Sequence, residues 1–380
     1  MTLILTQCAA CAVTLQHPAK QCSRCKTRYC GAACQKKHWE EGHDQLCRRI
    51  KKGGGAEQFH ADKKCTAAVA EAVEACAEDT KGQTCNICTQ ALHWKTKEGL
   101  VRMCACRGTA GFAHVSCLAE QAKILFAEAE ENNKPLDPAW ARWHTCGLCK
   151  QNHHGVVRGA LGWACWKTYV GRPEGDWNRI DAMNELGTGL SAAEHHEDAL
   201  AVREAELSTR RRLGDSEESI LTVQGNLAVT YVVIGRHEEA LNLYRDVYSG
   251  RVRLNGEEHL TTLKAANNYA LSLNELKRFE EAKPLLRRTI PVARRVLEDG
   301  NDTMLKMRWT YAQTLYKDDG ATLDDVREAV TTLEDTGRIA RRVLGGAHPT
   351  TTGIEDHLRV ARAILRARET PPSPSPPGIV

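Results

Sequence analysis

Cys85-Asn86-Ile87-Cys88, Cys104-Ala105-Cys106, His114-Val115-Ser116-Cys117 and Cys146-Gly147-Leu148-Cys149 mark out residues 85–149. Eight metal-type ligands stand there in four pairs. Zinc takes four thiolate or imidazole ligands in a tetrahedron, and two residues between a pair let both side chains bind one ion. Four pairs therefore predict two closed zinc sites. A second set lies upstream: Cys8, Cys11, Cys22, Cys25, Cys30, Cys34, His43 and Cys47. Its last two pairs are separated by three residues, a spacing that puts both ligands on one helix face. A module of about 40 residues buries too little apolar surface to fold alone. Structural zinc, worth roughly 10–16 kcal/mol in small fingers, supplies the difference.

All 17 cysteines fall in the first 165 residues and none in the last 215. A disulfide scaffold of such density is normally secreted. Met1–Thr6 is too short an apolar run for a signal peptide, and no stretch of 18 apolar residues offers a membrane span. The expectation is an intracellular protein, cytoplasmic or nuclear, holding four structural zinc ions; His43 and His114 fall in register with the cysteines. The formal charge of +4 counts thiols as neutral. Fourteen thiolates would subtract 14 and four zinc ions add 8, leaving −2, so the whole chain makes no electrostatic case for nucleic acid. The basic run Arg48-Arg49-Ile50-Lys51-Lys52 is expected to be a solvated helix end, with a nucleic-acid contact as the minor alternative.

The spacing of residues 8–47, with Tyr29-Cys30, Cys34-Gln35, Trp39 and His43-x3-Cys47, resembles the MYND zinc finger. The resemblance implies interleaved ligand sets: Cys8, Cys11, Cys30 and Cys34 on one ion, Cys22, Cys25, His43 and Cys47 on the other. It also implies a shallow groove for proline-containing peptides, with Ser23, Gln35 and Trp39 at the positions that line it. Alternatively Trp39 only covers the zinc core. His17 and His38 fall outside the register and are expected at the surface. No Asn-His-Ser type motif or glycine-rich cofactor segment suggests a SET-type methyltransferase.

Residues 48–84 form a connector. Gly53-Gly54-Gly55 breaks the chain, and Phe59, Cys65, Val69, Ala72, Val73 and Cys76 then recur at helical spacing. Cys65 and Cys76 are expected as small buried apolar residues. The second module, 85–149, has a tight Cys104-x-Cys106 pair and seven residues from Cys106 to His114, and it resembles the RING-CH finger. A PHD finger has the same ligand order but a shorter gap before the histidine. The interleaved scheme assigns Cys85, Cys88, His114 and Cys117 to one ion and Cys104, Cys106, Cys146 and Cys149 to the other. RING-type domains dock a ubiquitin-conjugating enzyme. Ile87 matches the apolar docking residue and Lys150 the basic residue that contacts ubiquitin. Gln121 replaces the usual docking tryptophan and Gly147 the usual proline, which removes anchors. Residues 150–175 are expected to form an amphipathic cap burying Cys165. His93, His144, His153 and His154 complete no vacant pair.

Residues 176–366 repeat. Asn226-Leu227-Ala228, Asn268-Tyr269-Ala270 and Thr310-Tyr311-Ala312 recur every 42 residues, and Gly235-Arg236-His237-Glu238-Glu239-Ala240 recurs as Lys277-Arg278-Phe279-Glu280-Glu281-Ala282, with an earlier copy at Glu194–Ala199. Each unit reads as helix, turn, helix, and stacked neighbours bury what one hairpin cannot. The period resembles the tetratricopeptide repeats of kinesin light chain type, as do the turns Leu254–His259 and Leu344–Pro349. Four repeats and a terminal helix, 354–367, are expected, with an insertion near 317–323. The resemblance implies a peptide or protein on the concave face, where the amides of Asn226 and Asn268 could pair with a peptide backbone. Arg210-Arg211-Arg212 is expected to be solvated, and the proline-rich tail 367–380 to be disordered or polyproline II.

The predicted fold is thus mainly α: two small cross-braced zinc fingers followed by an α-solenoid of TPR-like hairpins. Every ligand set is complete at four, which makes the zinc structural, and no phosphate loop or nucleophile motif is present. The leading function is a zinc-binding adaptor that joins protein partners. The alternative is an E3 ubiquitin ligase whose repeats or MYND groove hold the substrate.

Overall fold

The computed structural model describes residues 7–13, 15, 19–346 and 348–369. His17 and the tail beyond Glu369 lie outside the described residues. The chain divides into two compact units, Met1–Val223 and Gln224–Val380. The border falls inside a helix of the repeat array, so the first expected hairpin is grouped with the cysteine-rich half.

The first unit begins with a short antiparallel ribbon, β1 (Lys20–Gln21) and β2 (Arg28–Tyr29), paired Lys20 to Tyr29 and Gln21 to Arg28. Helix α1 (Ala32–His38) follows and leads through a widened turn into α2 (Asp44–Lys52). The turn is possible because Gly42 takes φ +111, a backbone region with little cost only for glycine. Gly53–Gly55 stops α2, and α3 (Ala56–Ala75) carries the expected apolar face with Cys65, Val69 and Ala72 buried. Cys76 is buried just past its last turn. After the second cysteine-rich segment come α4 (Val115–Glu131), α5 (Leu136–Trp140) and α6 (Gly155–Tyr169).

Helix α6 differs from the expected amphipathic cap. Residues 157–166 and Tyr169 are all buried, the pattern of a helix enclosed on every side. It packs against α3, α4 and α7 (Trp177–Ala192). Glycines make the α6–α7 approach close. A Cβ on Gly189 would lie 2.7 Å from the Arg158 carbonyl oxygen, and one on Gly162 would lie 3.0 Å from that of Glu185. Asp176 caps α7 by accepting from the N–H groups of Asn178 and Arg179. The core around this pair contains Trp143, Trp163, Trp166, Tyr169, Leu186 and Cys165. Glu57 on α3 accepts from Arg28 of the first finger at 3.4 Å and from Arg179 of α7 at 2.9 Å, so one carboxylate ties three segments together.

Helix α8 (His196–Leu213) completes the first hairpin. Arg210 on it is not solvated as expected. Its side chain is 12 % exposed and donates to Glu206, Asp215 and Asp181. The neighbouring Arg211 and Arg212 are exposed.

The remaining helices are α9 (Glu217–Val233), α10 (His237–Asn255), α11 (Leu260–Glu275), α12 (Phe279–Val296), α13 (Asp302–Tyr316), α14 (Leu323–Leu344) and α15 (Pro349–Glu369). The last runs farther in both directions than the expected 354–367. Successive helices from α10 to α15 pack on one another. Ala228, Ala270 and Ala312, and likewise Ala199, Ala240 and Ala282, are all fully buried. The small side chain at each recurrence lets neighbouring helices approach. The first residue of each recurrent turn, Glu194, Gly235 and Lys277, has positive φ. At the longer turns, Gly256 and Gly345 take positive φ after α10 and α14, and the imidazoles of His259 and His348 accept from the N–H of Thr261 and Thr350. Thus one turn motif ends a helix with glycine and caps the next with histidine.

Candidate metal centres

Both fingers are built from one local turn. The N–H of Cys8, Cys22, Cys85 and Cys146 donates to the carbonyl five residues on, and each carbonyl accepts from the residue four on. That fourth residue, Ala12, Lys26, Thr89 and Lys150, has φ near +60° in every case. The tight turn swings the two cysteines of each pair to one side.

The turns assemble four clusters, Cys8/Cys11/Cys30/Cys34, Cys22/Cys25/His43/Cys47, Cys85/Cys88/His114/Cys117 and Cys104/Cys106/Cys146/Cys149, with the ligand atoms of each within 4.8 Å of one another. These are the interleaved sets expected from the two resemblances. A tetrahedron with Zn–S bonds of ~2.3 Å has edges of about 3.8 Å. The sulfurs of Cys11 and Cys30 are 3.7 Å apart, Cys22 and Cys47 3.8 Å, and Cys106 and Cys146 3.7 Å. His114 places Nδ1 3.4 Å from the Cys88 sulfur and 3.6 Å from that of Cys117, while its Nε2 faces the Ala91 carbonyl at 3.3 Å. A proton on Nε2 leaves Nδ1 free to bind metal. His43 uses Nε2, 3.3 Å from Cys25. The donor sets fit zinc, and none of the 17 cysteines is in a disulfide.

One thiol in each cluster is set toward the thiolate that zinc needs. Burial pushes Cys8 up, but the backbone N–H groups of Cys30, Ala10 and Cys11 outweigh it and bring the thiol to about 6. Cys22 and Cys85 are lowered in the same way, by N–H groups against burial. The Gln151 N–H brings Cys149 to about 7.

Two features of these centres were not read from the sequence. Gly111, at φ +86, lies against the last cluster, and a Cβ there would sit 2.6 Å from the Cys106 Cβ and 2.9 Å from its sulfur. A fifth turn of the same kind starts at His93, with His93 N–H on Glu98 O, Lys97 N–H on His93 O, and Lys97 at positive φ. Where the other turns have a second cysteine, this one has Thr96, whose Oγ1 is 2.8 Å from His93 Nδ1. A hydrogen bond closes this turn, where the others present two thiols to one cluster. Trp94 projects from it, 69 % exposed, with Leu92 at 58 %. The other uncommitted histidines have structural places: burial pushes His153 down to about 4, His144 stands 3.2 Å from Glu185, and exposed His154 precedes α6.

The expected partner-binding residues are scattered more widely. Ser23 is exposed, Gln35 half-buried, and Trp39 40 % exposed with its ring edge-on to His43 at 5.9 Å. A cavity of about 800 Å³ beside this finger is lined instead by His38, His43, Leu46 and Phe59 among others, and by none of those three. His38 is not a plain surface residue: it is half-buried, 3.0 Å from the Tyr29 hydroxyl, and stacks on His43. In the second finger Ile87 and Lys150 are both exposed. Gln121 and Gly147 prove to be linked. Arg142 donates to Gln121 Oε1 at 2.8 Å, and its guanidinium fills the place a Cβ on Gly147 would need, 2.2 Å away. In the repeats Asn226 is half-buried and Asn268 exposed.

Residues 8–47 match the family model of the MYND finger, and residues 219–295 match a tetratricopeptide repeat model. No curated protein matches the chain. Among solved structures, the nearly identical TPR-like repeats of a Podosopora anserina protein named for kinesin light chain are 20 % identical, covering 60 % of this chain and 97 % of theirs at a TM-score of 0.41. A substituted form of the same repeats covers 61 % and 98 % at 20 % identity and a TM-score of 0.42. BtubC (BKLC) from P. vanneervenii is 13 % identical, with 70 % and 95 % covered and a TM-score of 0.37. The chain therefore combines a MYND finger and tetratricopeptide repeats, modules that mediate protein interactions, with four Cys/His clusters able to hold zinc. No helix among the described residues is long and apolar enough to cross a membrane.

Proposed function

We propose that the protein is a zinc-dependent adaptor in which metal holds the cysteine-rich half in shape and the repeats bind a partner polypeptide. The observation that carries this reading is the completeness of the clusters: each offers four ligands and no open position, the arrangement of structural rather than catalytic zinc. When bound, zinc supplies cross-links and no bond chemistry. In the first finger, Trp39 offers an exposed apolar face for a proline-containing peptide, with Ser23 and Gln35 as the polar residues at the other positions that the MYND resemblance implies. In the repeats, Asn268 is exposed at the position expected to meet a peptide backbone. Affinity purification from cells with the zinc-loaded chain tests the adaptor reading. Partners should be lost with Trp39→Ala or with Asn226→Ala/Asn268→Ala, each variant keeping the wild-type melting temperature. Partners retained by both variants would oppose it.

A second reading, an E3 ubiquitin ligase of RING-CH type, draws support from the exposed apolar residues of the second finger. Ile87, Leu92 and Trp94 come from neighbouring turns and Leu148 from the last pair, all at least 37 % exposed. Trp94 could supply the aromatic anchor that Gln121 lacks. Autoubiquitination with a panel of conjugating enzymes decides it. Product that vanishes with Ile87→Ala supports a ligase, and no product with any enzyme removes it.

A further inference from the structure

Repeat periodicity draws attention to one residue that the adaptor reading does not use. Counting by 42 from Gln224 gives Ala266 and then Arg308. Ala266 is fully buried in α11. Its counterpart in α13 is an arginine, only 7 % exposed, whose Nε has no hydrogen-bond partner. An arginine so enclosed normally has its N–H groups satisfied. Its nearest carboxylate, Asp335, is 3.9 Å from Nη2, beyond hydrogen-bond reach, and Asp335 is itself engaged by Arg338.

Arg308 opens into a cavity of about 920 Å³ bounded by α12, the 297–299 loop, α13 and α14. Three more guanidiniums line it: Arg294 from α12, and Arg338 and Arg342 from α14. These three are exposed, so they form a rim above the buried Arg308. A smaller cavity of about 200 Å³ also contains Arg294 and Arg308 and extends the groove past Ile290 and Pro291 to Arg287 and Thr332. Glu298, Asp299 and Asp335 share the larger cavity, so four cations face three carboxylates. The least satisfied cation is Arg308, whose buried Nε has no partner and whose closest ion pair is the loose one with Asp335. Burial lowers the Arg308 pKa most, the like charges of Arg294 and Arg338 lower it too, and Asp299 and Asp335 offset part of this. A buried guanidinium N–H left unpaired beside a second cation is unfavourable, and an added anion would relieve it.

We propose that this groove binds a phosphate monoester carried on a polypeptide. Phosphate suits the floor because it brings a charge of about −1.5 to −2 and three acceptor oxygens, enough to satisfy the Arg308 Nε and bridge to Arg294 in the forked geometry arginine favours. A carried phosphate suits the rest, since apolar Leu297 and Ile339 share the larger cavity with the arginines and Ile290 and Pro291 line the smaller one beside Arg294 and Arg308. The site uses neither finger, nor Asn226 or Asn268, so its failure would leave the adaptor reading standing.

The test is fluorescence anisotropy with the full-length, zinc-loaded chain. The probe is a fluorescein-labelled peptide of Ala, Leu and Gly around one phosphoserine, with serine and glutamate versions beside it. Saturable binding of the phosphoserine peptide is expected, weakened at least tenfold by Arg308→Ala and by Arg294→Ala. Arg308→Lys should recover only part of the loss, because a lysine keeps the charge without the fork. Arg359→Ala, at an exposed arginine outside the groove, should bind like wild type. The proposal is overturned if the glutamate or serine peptide binds as well, or if inorganic phosphate binds as tightly as the peptide. Binding unchanged in the exposed Arg294→Ala variant also overturns it, whatever the stability of Arg308→Ala.

Discussion

At Gly111 the left-handed backbone and the crowding by Cys106 coincide, so an added methyl group must move a metal ligand. Gly111→Ala should lower zinc from four to about three ions per chain. Metal analysis after gel filtration reads this, and four ions retained would contradict the crowding. Glu206 gives a pH-dependent counterpart. It is fully buried, and burial raises its pKa from 4.5 to about 7, against the lowering by Arg210. The folded chain therefore holds this proton where the unfolded chain has released it. The stability linked to it is full below pH 4.5 and is lost as pH rises through about 7. Glu206→Gln keeps an acceptor for the Arg210 Nε–H and removes the charge. It should raise the melting temperature by a few degrees at about pH 8 and by less at about pH 6. An equal gain at both would show that Glu206 does not hold its proton. The ligand pairs were legible in the sequence at this scale because spacings of one to three residues let both members reach one ion, while the sharing of ions between pairs was implied only by the two resemblances. Gly111, His38 and Arg210 were not legible as such. Their roles depend on a sulfur five residues away, on a tyrosine of the ribbon that precedes α1, and on carboxylates from α7 and the turn after α8.

Among elements, the α6–α7 seam makes a sharp prediction because two glycines in helices have opposite surroundings. Gly189→Ala drives a methyl into the Arg158 carbonyl. That overpacking costs about 1–3 kcal/mol, which outweighs the helix-propensity gain of up to ~1 kcal/mol. Gly225→Ala in α9 meets nothing within 4 Å and should collect the gain, raising the melting temperature by a few degrees. Thermal denaturation followed by circular dichroism measures both, and shifts of the same sign would refute the packing argument. The repeat hairpins were legible because alanine and the turn motif recur every 42 residues. The burial of α6 was not, although Leu161 and Trp163, two residues apart, stand on nearly opposite sides of a helix. Only the convergence of α3, α4 and α7 on it shows that its other faces are covered too. The turn at His93 escaped notice for a related reason: it has the backbone of a cysteine pair without the cysteines.

At the scale of the molecule, the division of chemistry along the chain sets the response to metal loss. All cysteines precede residue 166, while the second unit begins at Gln224. A chelator should unfold the first unit and spare the second, leaving a protease-resistant fragment that begins near residue 224 and a reduced but substantial helical signal. Complete loss of helical signal would show that the second unit depends on metal. The border itself was not legible in the sequence. Periodicity marks residues 176–216 as a repeat like the others, whereas its helices α7 and α8 group with the fingers.

The enclosure of α6 also bears on how long the protein lasts in a cell. Trp163, Trp166 and Leu161 are dry only while α3, α4 and α7 surround their helix. A chain synthesised without zinc would present that aromatic strip to chaperones and proteases rather than merely lose a binding surface. Its steady-state abundance should therefore track zinc supply, and a pulse-chase in zinc-depleted cells should show a shortened half-life that Gly225→Ala, which acts outside this helix, does not restore.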